Sequence, residues 1–514
     1  MSKISHFLKI SLTIILIQFS VYSQSVGEFK LPPGLTLFNQ VKYSYDTDIK
    51  REILENFLNL DYRYSGFTAG LRFEVFQPND PNPAISRGKE NFAGIDFRYI
   101  SFNTGFSDFK LEVTAGNYYT QFGKGMVIKI FEDRNLRIDN NLEGLYVKAD
   151  YGDLSIQALT GSAANSQNER IDILHAFDLE YRLNENIAAG ITVASNSPPF
   201  SALSKTQVFS GRIIPSLFNL DFYAEYAVIK IEDLQKSILN DAEKFWGTGF
   251  YSSFSSHFNR LAVTAEYKYY DNFSFYSFDK TILYNTPPAV RKDYSFLLFN
   301  RHPSPLFPES ETGFLIDLFY SLGFTSSLSL AYSETKSLGE NSLYQKYSKT
   351  NNKEKIVLRE IFGLLDFQID KDFSIVFGGS YQEEAESNTK NLTGVALLTY
   401  KLTPVNTVKI IVEHQQTENT ITTENYYTDV LTLEYLTSPN WSISLVSEMK
   451  TTEPDAGKIV RQFWNFLQLS YKTPFNTDLN LLLGSRQAGV ICIGGVCRYE
   501  PEFRGIELKA VTRL

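Results

Sequence analysis

The sequence predicts one antiparallel β-barrel that spans a bilayer, and three observations carry that prediction. From Leu35 to Leu514 the chain repeats stretches of about ten alternating apolar and polar residues, the length and period that a membrane-spanning strand requires. The links between these stretches are short and long by turns, as strands running to and fro between two unlike compartments would make them. Phe (41) and Tyr (31) raise the aromatic share to 15% while Met is only 3, a composition suited to strands with aromatic girdles at both membrane interfaces.

The elements follow in order. Residues 1–23 read as a secretory signal: Lys3 and Lys9 give a positive start, Ile10 to Phe19 an apolar run too short to span as a helix, and Val21 and Ser23 the small-residue rule before a cut at Gln24. No cysteine stands near that cut, so a lipoprotein anchor is not expected. Residues 24–34 form a short lead, with no room for a globular plug before a barrel over 35–514. After the signal no run of about 18 apolar residues occurs, which excludes a spanning helix. Strand Leu35–Asp46 rises, Leu54–Tyr64 returns, and Phe67–Val75 rises again after a tight Ser65-Gly66 link. On the third of these Phe67, Leu71 and Phe73 face one way and Thr68, Arg72 and Glu74 the other, one face for lipid and one for a polar interior.

Later short links carry Gly, Pro, Asn or Asp, as at Tyr151–Asp153, Asp370–Asp372 and Thr403–Val405, because these residues supply turn geometry. Longer polar links, such as 77–90, 231–243, 272–310 and 337–354, are expected outside the cell, and the short turns in the periplasm. The alternation predicts about 24 strands, an even number between about 22 and 26. Closure of the first strand onto the last would leave no unpaired edge in lipid.

One stretch, Gly116 to Gly144, is neither a clean strand nor an ordinary surface loop. Its apolar Met126, Val127, Ile128, Ile130 and Phe131 need cover, and its charges need partners, so residues 120–141 are expected to fold into the lumen. Lys124, Lys129, Glu132, Asp133, Arg134, Arg137 and Asp139 would then form a constriction that selects by charge, or an ion-paired brace for a wide barrel. Arg72, Glu74, Arg98, Lys110, Glu112 and Lys148 are the expected lumen lining, with signs too mixed for strong ion selectivity. The pattern G-N-Y-Y-x-Q-F-G-x-G followed by F-E-D-R-x-L-x-I-D-N-x-L-E-G, with the closing C-I-G-G-V-C-R-Y-E-P-E-F-R-G-I-E-L, resembles an uncharacterised family of porin-like outer-membrane barrels of Bacteroidetes, a domain of unknown function. The resemblance spans nearly the whole mature chain and implies a Gram-negative outer-membrane barrel, without naming a solute or a catalytic residue. The terminal Leu514 departs from the Phe expected there.

Cys492 and Cys497 are the only cysteines, separated by a stretch that includes Gly494-Gly495, and after export they read as a disulfide clipping the last outer loop. The proline-rich 272–310 loop reads as a lid or docking surface, or as a stiff outer loop. An enzyme is not expected: His175 and His414 lie in predicted strands, but no G-x-S-x-G nucleophile motif accompanies them. No catalytic residue, metal site or cofactor is assigned. A net charge of −9 gives no reason to expect nucleic acid. The expected partners are outer-membrane lipid, the barrel-assembly machinery during biogenesis, and a protein at the loops or periplasmic turns. The function predicted is passive or gated passage of a small solute; the alternative is an occluded barrel serving as scaffold or docking partner for a secretion or cell-surface assembly.

Overall fold

A computed structural model describes residues 31–514 except for 78–91, 135, 137, 166–168, 198–203, 234–244, 303–305, 307–309, 324, 340–354, 386, 423, 453–458, 494 and 495. The signal sequence predicted over 1–23 lies outside the described residues, as does Arg137. The chain forms a closed barrel of 24 antiparallel strands. Its first strand, Leu35–Asp46, pairs with Arg51–Tyr64 on one side and with the last strand, Phe503–Arg513, on the other, from Phe38 opposite Arg513 to Asp46 opposite Gly505. Closure satisfies every strand's backbone groups laterally, which a sheet solvated by hydrocarbon needs. Among the described residues no helix is long and apolar enough to cross a membrane.

Links at one end are tight: Ser65-Gly66 has φ of 45° and 87°, the left-handed pair that a two-residue hairpin demands. At the other end lie the long connections. The two faces of each strand differ as the alternation predicts. On Phe67–Gln77 the outward Phe67, Leu71 and Phe73 are exposed, while Thr68, Arg72 and Glu74 are buried inside. Apolar outside and polar inside is the inverse of a water-solvated sheet, and it holds around the wall.

One parity fails, with a definite cause. In strand Phe92–Phe106 the register passes from Phe97 opposite Arg72 to Ile95 opposite Phe73, so Asp96 is an extra residue. A one-residue bulge exchanges the faces of a strand beyond it. Phe97 and Ser101 are buried within, and Arg98 points outward beside the exposed Ile100, its side chain 73% exposed and 3.4 Å from Glu143. Arg98 therefore does not line the lumen.

The lumen holds a core of its own. Residues 119–141 and 272–302 both turn inward from the long-loop end and pack together and against the wall. Met126, Val127, Ile128, Phe273, Phe275 and Tyr284 are fully or almost fully buried, in one cluster with Leu174, Ala194, Val208, Ile229 and Phe362 of the strands. The second insert was expected to be a lid, docking surface or outer loop; instead it is half of an internal plug. Its aromatic residues account for that, since exposing Phe273, Phe275, Phe296 and Phe299 to water would forgo the burial of four large side chains.

Candidate functional site: a double insert in the lumen

The two inserts are joined backbone to backbone. The Lys129 N–H donates to the Tyr284 carbonyl at 2.8 Å, and Thr286 N–H to Gly125 at 3.2 Å. Asn285, fully buried, ties the seam: its Nδ2 donates to the carbonyls of Met126 (3.1 Å) and Phe273 (2.9 Å), and its Oδ1 accepts from Phe275 N–H (2.9 Å). The first insert turns at Gly123-Lys124-Gly125, with φ of 52° and 82° at the glycines. A Cβ on Gly123 would lie 2.8 Å from Tyr223 Oη and 3.0 Å from Glu225, so glycine serves here for closeness as well as for dihedral. The Lys124 N–H donates to Tyr223 Oη at 3.2 Å, and its ammonium lies 5.7 Å over the Tyr223 ring.

Charged residues on the wall hold the plug at separate points around the circumference. On one side Arg72 reaches Glu132 (3.0 Å), Glu74 (3.2 Å) and Asp139 (3.3 Å), and its Nε donates to Asn59 (2.9 Å). Phe97, 4.8 Å beneath the Arg72 guanidinium, stacks on Tyr119 at 5.1 Å. Tyr119 Oη donates to Asp139 (3.0 Å), and burial holds its hydroxyl well above the ordinary tyrosine range. Arg134 pairs with Glu132 at 2.9 Å and lies 4.4 Å over the Phe57 ring. Glu74, Asp96 and Asp139 bring carboxylate oxygens within 4.8 Å of one another, but the Arg72 guanidinium already contacts two of them and supplies the neutralising charge.

A second clamp grips the second insert. Lys268 bridges Glu311 (2.9 Å) and the Ala289 carbonyl (2.6 Å), and Lys292 pairs with Asp317 (2.7 Å). Farther round, Glu413 accepts from the N–H groups of Leu297 (3.3 Å) and Leu298 (2.7 Å), and Arg301 pairs with Glu448 at 2.6 Å. The neighbouring His302 is held down to about 4, first by burial and then by the Arg301 and Lys450 cations.

The predicted constriction thus divides. Glu132, Arg134 and Asp139 join Arg72 and Glu74 in one network. Asp133 caps the next turn, accepting from Leu136 N–H at 3.0 Å. Lys129 sits 5.1 Å over Phe131, and burial lowers its ammonium pKa. Lys110, Glu112 and Lys148 occupy the inward face nearer the short-turn end, where Lys148 is 4.0 Å from Asp150 and Lys110 is exposed. Sequence reasoning missed Asn285, Lys268, Glu413 and Arg212, the last bound to Asp178 (2.7 Å) and Glu180 (2.9 Å). A signal was available only for the second insert, in the aromatic residues of its supposedly exposed loop.

Between the 131–139 segment and the wall of the first five strands lies a cavity of about 380 Å³, lined by Asn59, Asp61, Tyr99, Thr114, Asn117 and Arg134 among others. Its lining is mixed, with Phe38, Leu71, Phe97 and Tyr118 beside these polar groups, where the plug seam is greasy throughout. Cys492 and Cys497 lie opposite each other on a small hairpin of Gly489–Ile493 and Val496–Glu500, and their side chains fall outside the described residues.

Comparison with known proteins places the chain. A model of the DUF6029 family, a family of unknown function, matches residues 8–514. The chain belongs to that family. No curated protein matches it. Among solved structures, an E. coli P pilus tip assembly intermediate, PapC-PapD-PapK-PapG, is similar with a TM-score of 0.51 at 9% identity, over 93% of this chain and 60% of that one. The P pilus usher (PapC) translocation pore gives 0.48 at 9% identity, over 93% and 99%. The FrpB iron transporter from Neisseria meningitidis gives 0.41 at 10% identity, over 94% and 82%. At such identities the likeness of this DUF6029 chain to them is one of fold alone.

Proposed function

We propose that this DUF6029 protein is a gated outer-membrane barrel, exported by the 1–23 signal and passing a small solute along its wall, not through the centre of its plug. The observation that carries the reading is the contrast between the two halves of the plug. Residues 125–130 and 273–290 form an apolar seam whose opening would expose Met126, Val127, Ile128 and Phe273 at a large cost. The Glu132–Asp133 and Ile138–Asp139 segments instead form a small ladder, Glu132 opposite Asp139, held to the wall by the Arg72 ion pairs beside the 380 Å³ cavity. Charged groups leaving these pairs can be met by water in the adjoining cavity, whereas the apolar side chains of the seam cannot, so this ladder is the part that can move.

The test is planar-bilayer conductance of the purified barrel beside a variant in which an Asn-Gly turn replaces residues 132–139 between Phe131 and Asn140. Phe131 and Asn140 are already hydrogen-bonded neighbours across antiparallel segments (3.3 Å), the spacing that a two-residue turn closes. Arg72→Gln accompanies it, leaving no guanidinium without its carboxylates. Intermittent or weak current in the wild type and steady current in the variant support the wall route. Silence in both defeats transport. The apolar seam itself favours the second reading, a permanently occluded barrel that holds a protein partner of a secretion or surface assembly at its loops or turns.

A further inference from the structure

The cavity beside the 131–139 segment carries more chemistry than a passage needs. Five consecutive strands build its wall, from Phe38 on the first to Thr114 on the fifth, and the first insert covers it with Glu132 and Arg134. At about 380 Å³ it falls within the size of small-molecule sites, roughly 300–1,000 Å³.

Arg134 is the group that points to a ligand. Its Nε is spent on Glu132 at 2.9 Å, while its Nη1 is buried and meets no acceptor among the described residues. The Phe57 and Phe38 rings hold the guanidinium in place, their centroids 4.4 and 5.4 Å away, so the free nitrogen is positioned in advance. A buried guanidinium N–H without an acceptor is costly, and a ligand oxygen would satisfy it. Other lining groups are half used. Asn59 Oδ1 accepts from Arg72 Nε (2.9 Å), which leaves its amide N–H groups to donate. Asp61 Oδ1 accepts from Tyr99 Oη (2.8 Å), which leaves the second carboxylate oxygen to accept. The charged side chains of the lining are balanced, Arg72 and Arg134 against Asp61 and Glu132, and Phe38, Phe97 and Tyr99 supply apolar surface.

We infer that this cavity binds an uncharged mono- or disaccharide. Each sugar hydroxyl both donates and accepts, so one ligand can offer acceptors to Arg134 and Asn59 and a donor to Asp61, with its C–H faces against the aromatic rings. Neighbouring oxygens on a sugar ring also suit the paired N–H groups at a guanidinium edge. An anion would face Asp61 and Glu132, and a cation the two arginines, with no surplus charge to hold either. The inference rests on the wall route for the solute's path and adds its chemical class; binding itself needs no current.

The test is isothermal titration calorimetry of the full-length barrel in an amine-oxide detergent, which carries no sugar headgroup, with glucose, maltose, glucuronate and glutamine as probes. Saturable binding of glucose or maltose, weakened about tenfold by Arg134→Lys and by Asp61→Asn, supports the site. Arg134→Lys keeps a cation beside Glu132 but loses the guanidinium edge, and Asp61→Asn keeps an acceptor for Tyr99. Heat-modifiable migration on gels verifies that each variant folds, and either one alone decides the matter. Sugar affinity indifferent to both variants, tighter binding of glucuronate or glutamine, or no binding of any probe would each overturn it. The site and the route fail separately. Sugar binding without bilayer current upholds the site and defeats the route, whereas current without sugar binding upholds the route and defeats the site.

Discussion

Arg72 joins wall to plug more directly than any other single side chain described. Its guanidinium is 5% exposed and meets three carboxylates, two of them on the first insert. Removing a buried partner leaves the remaining charges uncompensated, at a cost of about 3–5 kcal/mol. Arg72→Ala is therefore expected to lower the heat-modifiability midpoint sharply, and Arg72→Ala with Glu132→Gln and Asp139→Asn to recover part of the loss. An Arg72→Ala midpoint equal to that of the wild type would show that the network bears no load. His302 gives a prediction in pH. Its folded pKa of about 4 lies below the ordinary value of 6.5, so the unfolded chain binds the proton first. The stability it contributes is complete above about pH 6.5 and is lost as pH falls toward 4. The midpoint of the wild type should fall across that window, and His302→Gln should fall less; identical profiles would mean that the ring is hydrated.

At the scale of elements, the hairpin at 131–139 and the hairpin at 489–500 behave differently. The first is an ion-paired flap on an apolar base, and its excision is the conductance experiment described above. The second places Cys492 directly opposite Cys497. Exported protein denatured without reductant should show no free thiol, and after reduction should show both; two reactive thiols before reduction would refute the clip. The strands themselves were legible from the sequence, where Tyr267 and Lys268 fall on opposite faces of the alternation and on the wall are exposed and buried respectively. The bulge at Asp96 was not. A single inserted residue leaves no mark in a local pattern, yet it turned Arg98 from the lumen to the outer surface.

For the whole molecule, the barrel's stability rests on an apolar exterior and a filled interior, an arrangement that distinguishes the two solvents on its faces. Leu431, outward and 42% exposed, stands for the exterior. Leu431→Arg should cost about 2–4 kcal/mol if it sits near the bilayer midplane, read as a lower folding yield into vesicles with the detergent-folded state less affected. Equal yields would place that ring of the wall outside the hydrocarbon.

The sequence by itself determined the class, the strand count and the inward turn of residues 120–141, because alternation, link length and unsatisfied apolar residues are local properties of the chain. It determined the partition of faces wherever the period of two was unbroken. Only the tertiary structure decided which charges meet, that 272–302 shares the lumen, and that the bulge at Asp96 turns Arg98 outward. Each of those depends on register between segments distant in sequence, and register is fixed by the closing of the whole barrel, not by any one strand.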